Sequence, residues 1–261
     1  MGSRGPQNAS HGVNGPALSA ATATSIGGGI LRTAITEGLP VDYLQRLDDK
    51  IAEWWIQAQP REPRFAGLPR PLLPTAITEL DARSFLRGMD TDPPLYRIQD
   101  GYRFVSPLLP ETKLWNFIET RTSEVWVSDE VVVHYGAAAD LVLEYGWAVD
   151  MIESEPRAEG LTKGAIDLLI RRDQMPYIGV EAKGDSGKLA NLLRQMRRCA
   201  GTSPDAPPHP EHKKCLGLQL FRPELFWVVA AGPTRRLFRV KYATDGLTLI
   251  PEDDEALLEK T

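Results

Sequence analysis

Apolar residues first recur at helical spacing in PVDYLQRLDDKIAEWWIQAQ, where Leu44, Leu47, Ile51 and Trp54 or Trp55 share a face and predict a helix over residues 40–59. The paired tryptophans read as helix core, with a partner interface as the alternative. The proline-spaced PREPRFAGLPRPLLP that follows must be extended or irregular. TAITELDARSFLRGM predicts a second helix, and LYRIQDGYRFV a hairpin turning at Asp100-Gly101. PETKLWNFIETR predicts a third helix, with Pro110 near its start. Together residues 35–123 form a small α+β N-terminal unit on this reading. Residues 1–34 are rich in Gly, Ala, Ser and Thr, lack periodicity and predict disorder.

From Ser128 the pattern changes. SDEVVVHYGAAADLVLEYG is a long, mostly apolar helix with Ser128 as N-cap and Gly146 as its stop. A strand is expected in WAVDMIESE, then a hairpin in GAIDLLIRRDQMPYIGVEAKG. DSGKLANLLRQMRRCAG is amphipathic, with Leu189, Leu192, Leu193, Met196 and Ala200 on one face. A proline-rich loop is expected from Gly201 to about Lys214. Three strands follow in ELFWVVAAG, RLFRVKY and LTLI. The acidic tail, 251–261, predicts a short surface helix. Residues 124–250 thus form an α/β domain.

Composition is that of an ordinary globular chain, with 42% hydrophobic and 25% charged residues. No apolar run approaches the ~20 residues of a membrane-spanning helix, and no secretory signal is visible. Two cysteines are too few for a disulfide framework and fit a cytoplasmic setting. The net charge of −5 does not announce a nucleic-acid binder, but its distribution is uneven. Residues 124–185 hold 13 acidic and 5 basic side chains, and residues 186–241 hold 3 acidic and 11 basic. Such halves can build metal-binding carboxylates beside an anion-binding surface.

Charged groups in apolar strands are costly to bury unless neutralised, and the hairpin at 164–184 contains three: Asp167, Glu181 and Lys183. With side chains alternating between faces, Asp167 shares a face with Leu169 and Arg171, and Glu181 shares one with Gly179 and Lys183. A turn centred on Gln174 puts Asp167 and Glu181 opposite each other, seven residues to either side. Cross-strand partners have Cβ atoms ~4.5–5.5 Å apart, so a cation must separate the two carboxylates or one takes a proton. Mg²⁺ suits such oxygen ligands. Lys183, on the same face, adds positive charge beside them.

An acidic residue on one strand followed by Glu181-Ala182-Lys183 on the next resembles the signature of the PD-(D/E)xK nuclease superfamily, also called restriction-endonuclease-like. Ile166 stands where the signature often has proline. The order of elements over residues 128–231 is similar to that superfamily's core. The resemblance implies an α/β restriction-endonuclease-like fold, with a mixed central sheet flanked by helices. It also implies a Mg²⁺-dependent (or Mn²⁺-dependent) nuclease hydrolysing phosphodiester bonds of DNA, with RNA left open, within a restriction or phage-defence system. Asp167, Glu181 and the Ala182 carbonyl would hold the metal, and Lys183 would orient or deprotonate the attacking water. The alternative is an inactive nuclease-fold module that binds nucleic acid or a protein partner within a larger complex. A protein partner would dock on residues 35–123, and double-strand cutting would favour a homodimer.

The resemblance further nominates Glu130, on the long helix, and Gln195, on the second helix, as catalytic residues. A charge favourable to a helix N-terminus explains Glu130 equally well, and Glu144 and Glu155 are weaker choices. Lys188, Asn191, Gln195 and Arg198 form one polar stripe, and with Arg194, Arg235, Arg236, Arg239 and Lys241 they would hold a nucleic-acid backbone. Cys199, His209, His212 and Cys215 could form a zinc set, with a C-x9-H-x2-H-x2-C spacing unlike the common zinc-finger patterns. His134 reads as an ordinary helix histidine.

Overall fold

The computed structural model describes residues 41–109, 115–121, 124–157, 165–196, 210–244 and 246–260, without the side chains of 121 and 210–212. The expected disorder of residues 1–34 lies outside them. Val41–Thr261 forms one compact unit.

Among the described residues, three α-helices come before the central sheet. Helix α1 (Tyr43–Ala58) is capped by Asp42, whose carboxylate accepts from the Gln45 amide, and buries Leu47, Ile51, Trp54 and Trp55. Helix α2 (Glu79–Met89) begins with a capping box between Thr78 and Asp81. Between α2 and α3 lie five short strands: β1 (Arg97–Gln99), β2 (Arg103–Val105), β3 (Trp115–Asn116), β4 (Ile118–Arg121) and β5 (Glu124–Val127). The β1–β2 turn uses Asp100 and Gly101 as expected, both at positive φ. Gly101 presses on α1: a Cβ there would lie 2.1 Å from the Trp54 carbonyl oxygen.

The third helix expected over 110–121 is not formed. Residues 110–114 lie outside the described ones, and strands occupy 115–116 and 118–121. Trp115 pairs with Phe104, and β4 pairs antiparallel with β5, Glu119 opposite Trp126. Aromatic and β-branched residues here find cross-strand partners, which overrides a weak helical pattern.

Helix α3 (Asp129–Leu143) starts at Ser128, whose hydroxyl accepts from the Val131 amide, and is buried on all sides from Val131 to Leu141. It lies against a six-stranded sheet of order β11-β10-β9-β8-β7-β6. The strands are β6 (Ile152–Ser154), β7 (Leu168–Arg172), β8 (Met175–Lys183), β9 (Leu225–Ala230), β10 (Arg235–Ala243) and β11 (Gly246–Glu252). All neighbours are antiparallel except β8 and β9, which run parallel. The strand expected over 147–155 is confined to β6, and Trp147 instead packs into the core. One apolar cluster joins α1, α2 and α3 to one sheet face and runs from Leu47 to Leu258. A second lies on the other face beneath α4 (Ser186–Met196) and α5 (Pro210–Phe221). The protein is therefore α/β, a mixed six-stranded sheet flanked by helices.

Helix α5 starts inside the segment expected to be a proline-rich loop. Pro210 is its first residue, where a missing amide costs nothing. The tail is a short 3₁₀ turn, Glu255–Leu258, docked by a fully buried Leu258 whose carbonyl accepts from the Trp147 indole N–H at 2.6 Å.

Asp81 ties α2 to the end of β9. Its buried carboxylate accepts from the Thr78 amide (2.9 Å), the Thr78 hydroxyl (2.7 Å) and the Gly232 amide (2.8 Å). Asp81→Ala strands these donors and is expected to cost about 3 kcal/mol, with Asp81→Asn losing less. Urea unfolding checks this: the midpoint should fall with the slope unchanged.

Candidate functional site

The hairpin register decides where the charges meet. Leu168 pairs with Val180, Leu169 with Gly179 and Ile170 with Ile178, and Asp167, one residue before β7, brings its carboxylate to the same Lys214 ammonium as Glu181. The turn is Asp173–Gln174, with both residues at positive φ. From it the pairing runs Arg172 to Met175 and Arg171 to Pro176, then shifts by one. This bulge adds Tyr177 to β8, where the sequence reading assumed a regular hairpin turning about Gln174.

Asp167 is held by its backbone and its side chain. Its amide donates to the Val180 carbonyl (2.9 Å), its carbonyl accepts from the Glu155 amide (2.7 Å), and its Oδ2 accepts from the Ala182 amide (2.7 Å). Glu181 is 0% exposed. Lys183 closes β8 with its Nζ 2.6 Å from Glu181 Oε1, 2.9 Å from the Ala182 carbonyl oxygen and 3.4 Å from Glu130 Oε1. Helix α3 is thus brought to the site by its N-terminal turn. Gly184 lets it approach, since a Cβ there would lie 2.4 Å from the Asp129 carboxylate.

Sequence reasoning missed Lys214. It projects from α5, and its Nζ stands 2.7 Å from Glu181 Oε2 and 3.4 Å from Asp167 Oδ1. The Glu181 contact is close, yet Oε2 is not aligned with any donor for a hydrogen bond among the described residues. The signal was weak because α5 does not show an amphipathic stripe: Leu218 and Cys215 are buried while Leu220 is exposed.

Burial pushes the Glu181 carboxyl up to about 7, Asp167 adds to this, and Lys214 and Lys183 oppose it. Burial would also raise Asp167, but Lys214, His134, Lys183 and the Ala182 amide outweigh it and hold the group below its ordinary value. Burial would lower Lys183, but Glu181, Asp167 and Glu130 outweigh it and keep the lysine above its ordinary value. Lys183 is therefore an ammonium group at neutral pH in this arrangement.

The other nominated residues are placed less centrally. Glu130 reaches the site through Lys183, whereas Glu144, at the far end of α3, pairs with Arg87. Gln195 is half-buried on α4, and its Oε1 accepts no hydrogen bond among the described residues. Lys188 is exposed and lies 3.5 Å from Asp185, and Arg194 is exposed. Arg235 is engaged with buried Asp140 at 2.7 Å and lies over Trp227. Arg236 is exposed and lines a groove with Glu252, Asp253 and Glu255. Arg239 pairs with Glu252 at 3.3 Å, and Lys241 is exposed. His134 is buried, 3.5 Å from the Ser154 hydroxyl. Of the nominated zinc set, Cys199 and His209 lie outside the described residues, as does Arg198, and the His212 side chain is not described. Cys215 is buried in the second core cluster and is not a free thiol.

No protein family, curated protein or solved structure matches the chain. Among the described residues no helix is long and apolar enough to cross a membrane.

The charge balance gives a pH prediction. A carboxyl raised from 4.5 to about 7 contributes stability that is complete below pH 4.5 and lost as pH rises through about 7. A ¹³C NMR titration of the metal-free protein is expected to show Glu181 titrating near neutrality. Asp167→Asn should lower the midpoint by removing a like charge, and Lys214→Met should raise it. A midpoint near 4.5 that neither variant moves contradicts this account.

Proposed function

We propose that the protein is a divalent-metal-dependent nuclease that hydrolyses phosphodiester bonds of DNA. The observation that carries this is the convergence of the Asp167 and Glu181 carboxylates at the end of the β7–β8 hairpin, with Lys183 two residues beyond Glu181 on β8. The donor set suits the ion: hard carboxylate oxygens, a main-chain carbonyl, and a buried Glu181 Oε2 whose close partner is the Lys214 ammonium. Asp167, Glu181 and the Ala182 carbonyl are the residues that would hold Mg²⁺ or Mn²⁺. Bound there, the ion supplies Lewis acidity toward a phosphate oxygen and lowers the pKa of a bound water.

The chain's own groups do the rest. Lys183 is kept protonated by its carboxylate neighbours, so it acts as a donor. It orients the attacking water and stabilises charge that develops on the phosphate, and does not abstract a proton. Glu130 holds Lys183 from the α3 side and fixes its direction. Exposed Lys188, Arg194 and Arg236 are available for phosphate contacts that position the backbone without reading bases. Arg235, already engaged with Asp140, serves the fold.

A second reading has its own support. Two lysines already neutralise the two carboxylates, an arrangement that also suits a nuclease-fold module that binds nucleic acid or a protein without cutting. Incubation with circular DNA, linear DNA and RNA, with and without Mg²⁺, separates the two. The expected result is cleavage of DNA only with the divalent ion. Lys183→Ala should keep metal binding and lose turnover by about 10²-fold or more, because its interaction is made in the transition state. Asp167→Ala should need more Mg²⁺ for the same rate. Cleavage by Lys183→Ala at the parent rate would sink the catalytic role of Lys183, and no cleavage of any substrate favours the binding module.

A further inference from the structure

We propose that Lys214 is a resident counter-ion seated between Asp167 and Glu181, and that a divalent cation binds this pair by displacing it. This rests on the reading of Asp167 and Glu181 as the cation-binding pair.

Each carboxylate commits one oxygen to the framework. Asp167 Oδ2 accepts from the Ala182 amide at 2.7 Å, and Glu181 Oε1 accepts from Lys183 at 2.6 Å. The other two oxygens, Oδ1 and Oε2, converge on the Lys214 ammonium at 3.4 and 2.7 Å. That ammonium supplies charge, but Oε2 still lacks a directed hydrogen bond. A metal ion coordinates oxygen lone pairs at short range and would satisfy Oε2 where the lysine does not.

Charge counting points to exchange, not addition. With Glu181 ionised, the form that binds a cation, Asp167, Glu181 and Glu130 oppose Lys183 and Lys214, which leaves one net negative charge among the five. Replacing Lys214 with a divalent ion makes the remaining set neutral. Adding the ion beside Lys214 leaves a net positive charge around a fully buried Glu181, and uncompensated charge is costly there.

The fold provides the mount and the exit. One turn after Lys214, Gly217 seats α5 against Ala165, two residues before Asp167. A Cβ on Gly217 would lie 2.4 Å from the Ala165 Cβ, so the approach is one that glycine permits. Lys214 is 16% exposed, and a lysine's long stem can carry its ammonium to solvent without moving the helix.

Isothermal titration calorimetry of the full chain with Mg²⁺ alone, and with Mn²⁺ alone, tests this without nucleic acid. The variants are Lys214→Met, Lys214→Arg and Gly217→Ala. Lys214→Met is expected to bind at least about tenfold tighter than the parent, a gain of roughly 1.4 kcal/mol. Lys214→Arg, which keeps the charge, should stay near the parent. Equal or weaker affinity in a folded Lys214→Met overturns the proposal and leaves Lys214 a structural ion-pair partner. If Lys214→Met does not fold, Gly217→Ala decides: pushing α5 from the sheet should also tighten binding, and unchanged affinity overturns the proposal. Cleavage is not read, so tighter binding by Lys214→Met in a protein that cuts nothing keeps this inference and removes the nuclease reading.

Discussion

Two carboxylates set opposite each other in a water-poor pocket cannot both stay ionised without positive charge beside them. Much of the molecule's arrangement around Asp167 and Glu181 answers that constraint. Lys183 meets it from within β8, and Lys214 meets it from α5 across the second core cluster. Glu130 then balances Lys183 from the start of α3. Three elements far apart in sequence are thus held to one point by charge as well as by apolar packing.

In the scaffold beneath, one buried polar junction ties the helices to the sheet. Buried Asp140 on α3 accepts from Ser84 on α2 at 3.0 Å and from Arg235 on β10 at 2.7 Å. That triangle joins the helical layer to the sheet at a place with no counterpart in the hydrophobic pattern. Breaking a buried pair of this kind typically costs about 3–5 kcal/mol, because the survivor keeps its charge without its partner.

What the sequence disclosed follows from which forces are local. The capping of α3 at Ser128, the Asp100-Gly101 turn and the long apolar runs of β8 and β9 are written in short stretches. The closeness of Asp167 and Glu181 was legible from strand alternation and an approximate turn position, but the two-residue turn and the bulge that together set the register were not. The strands at 115–121 were misread because their partners, not their own pattern, select the conformation. Helix α5 and Lys214 were missed for the same reason. Gly217 carries no local signal for a helix, and its purpose is visible only once Ala165 is beside it. The tail looked polar and superficial, yet a single leucine, Leu258, anchors it under Trp147.

The β-bulge at Tyr177 makes the length of the chain between the two carboxylates as important as their identity. Were Tyr177 drawn into the ladder with no bulge, the pairing set at the turn would continue unshifted and Leu168 would pair with Gly179 instead of Val180. Glu181 would then stand opposite Ile166, and the two acids would point to opposite sides of the sheet. Lineages descended from this protein can therefore vary the exposed tip at Asp173 and Gln174 in composition, but loss of one residue from β7 between the bulge and Asp167 would slip the register and erase the site while leaving every one of its residues in place.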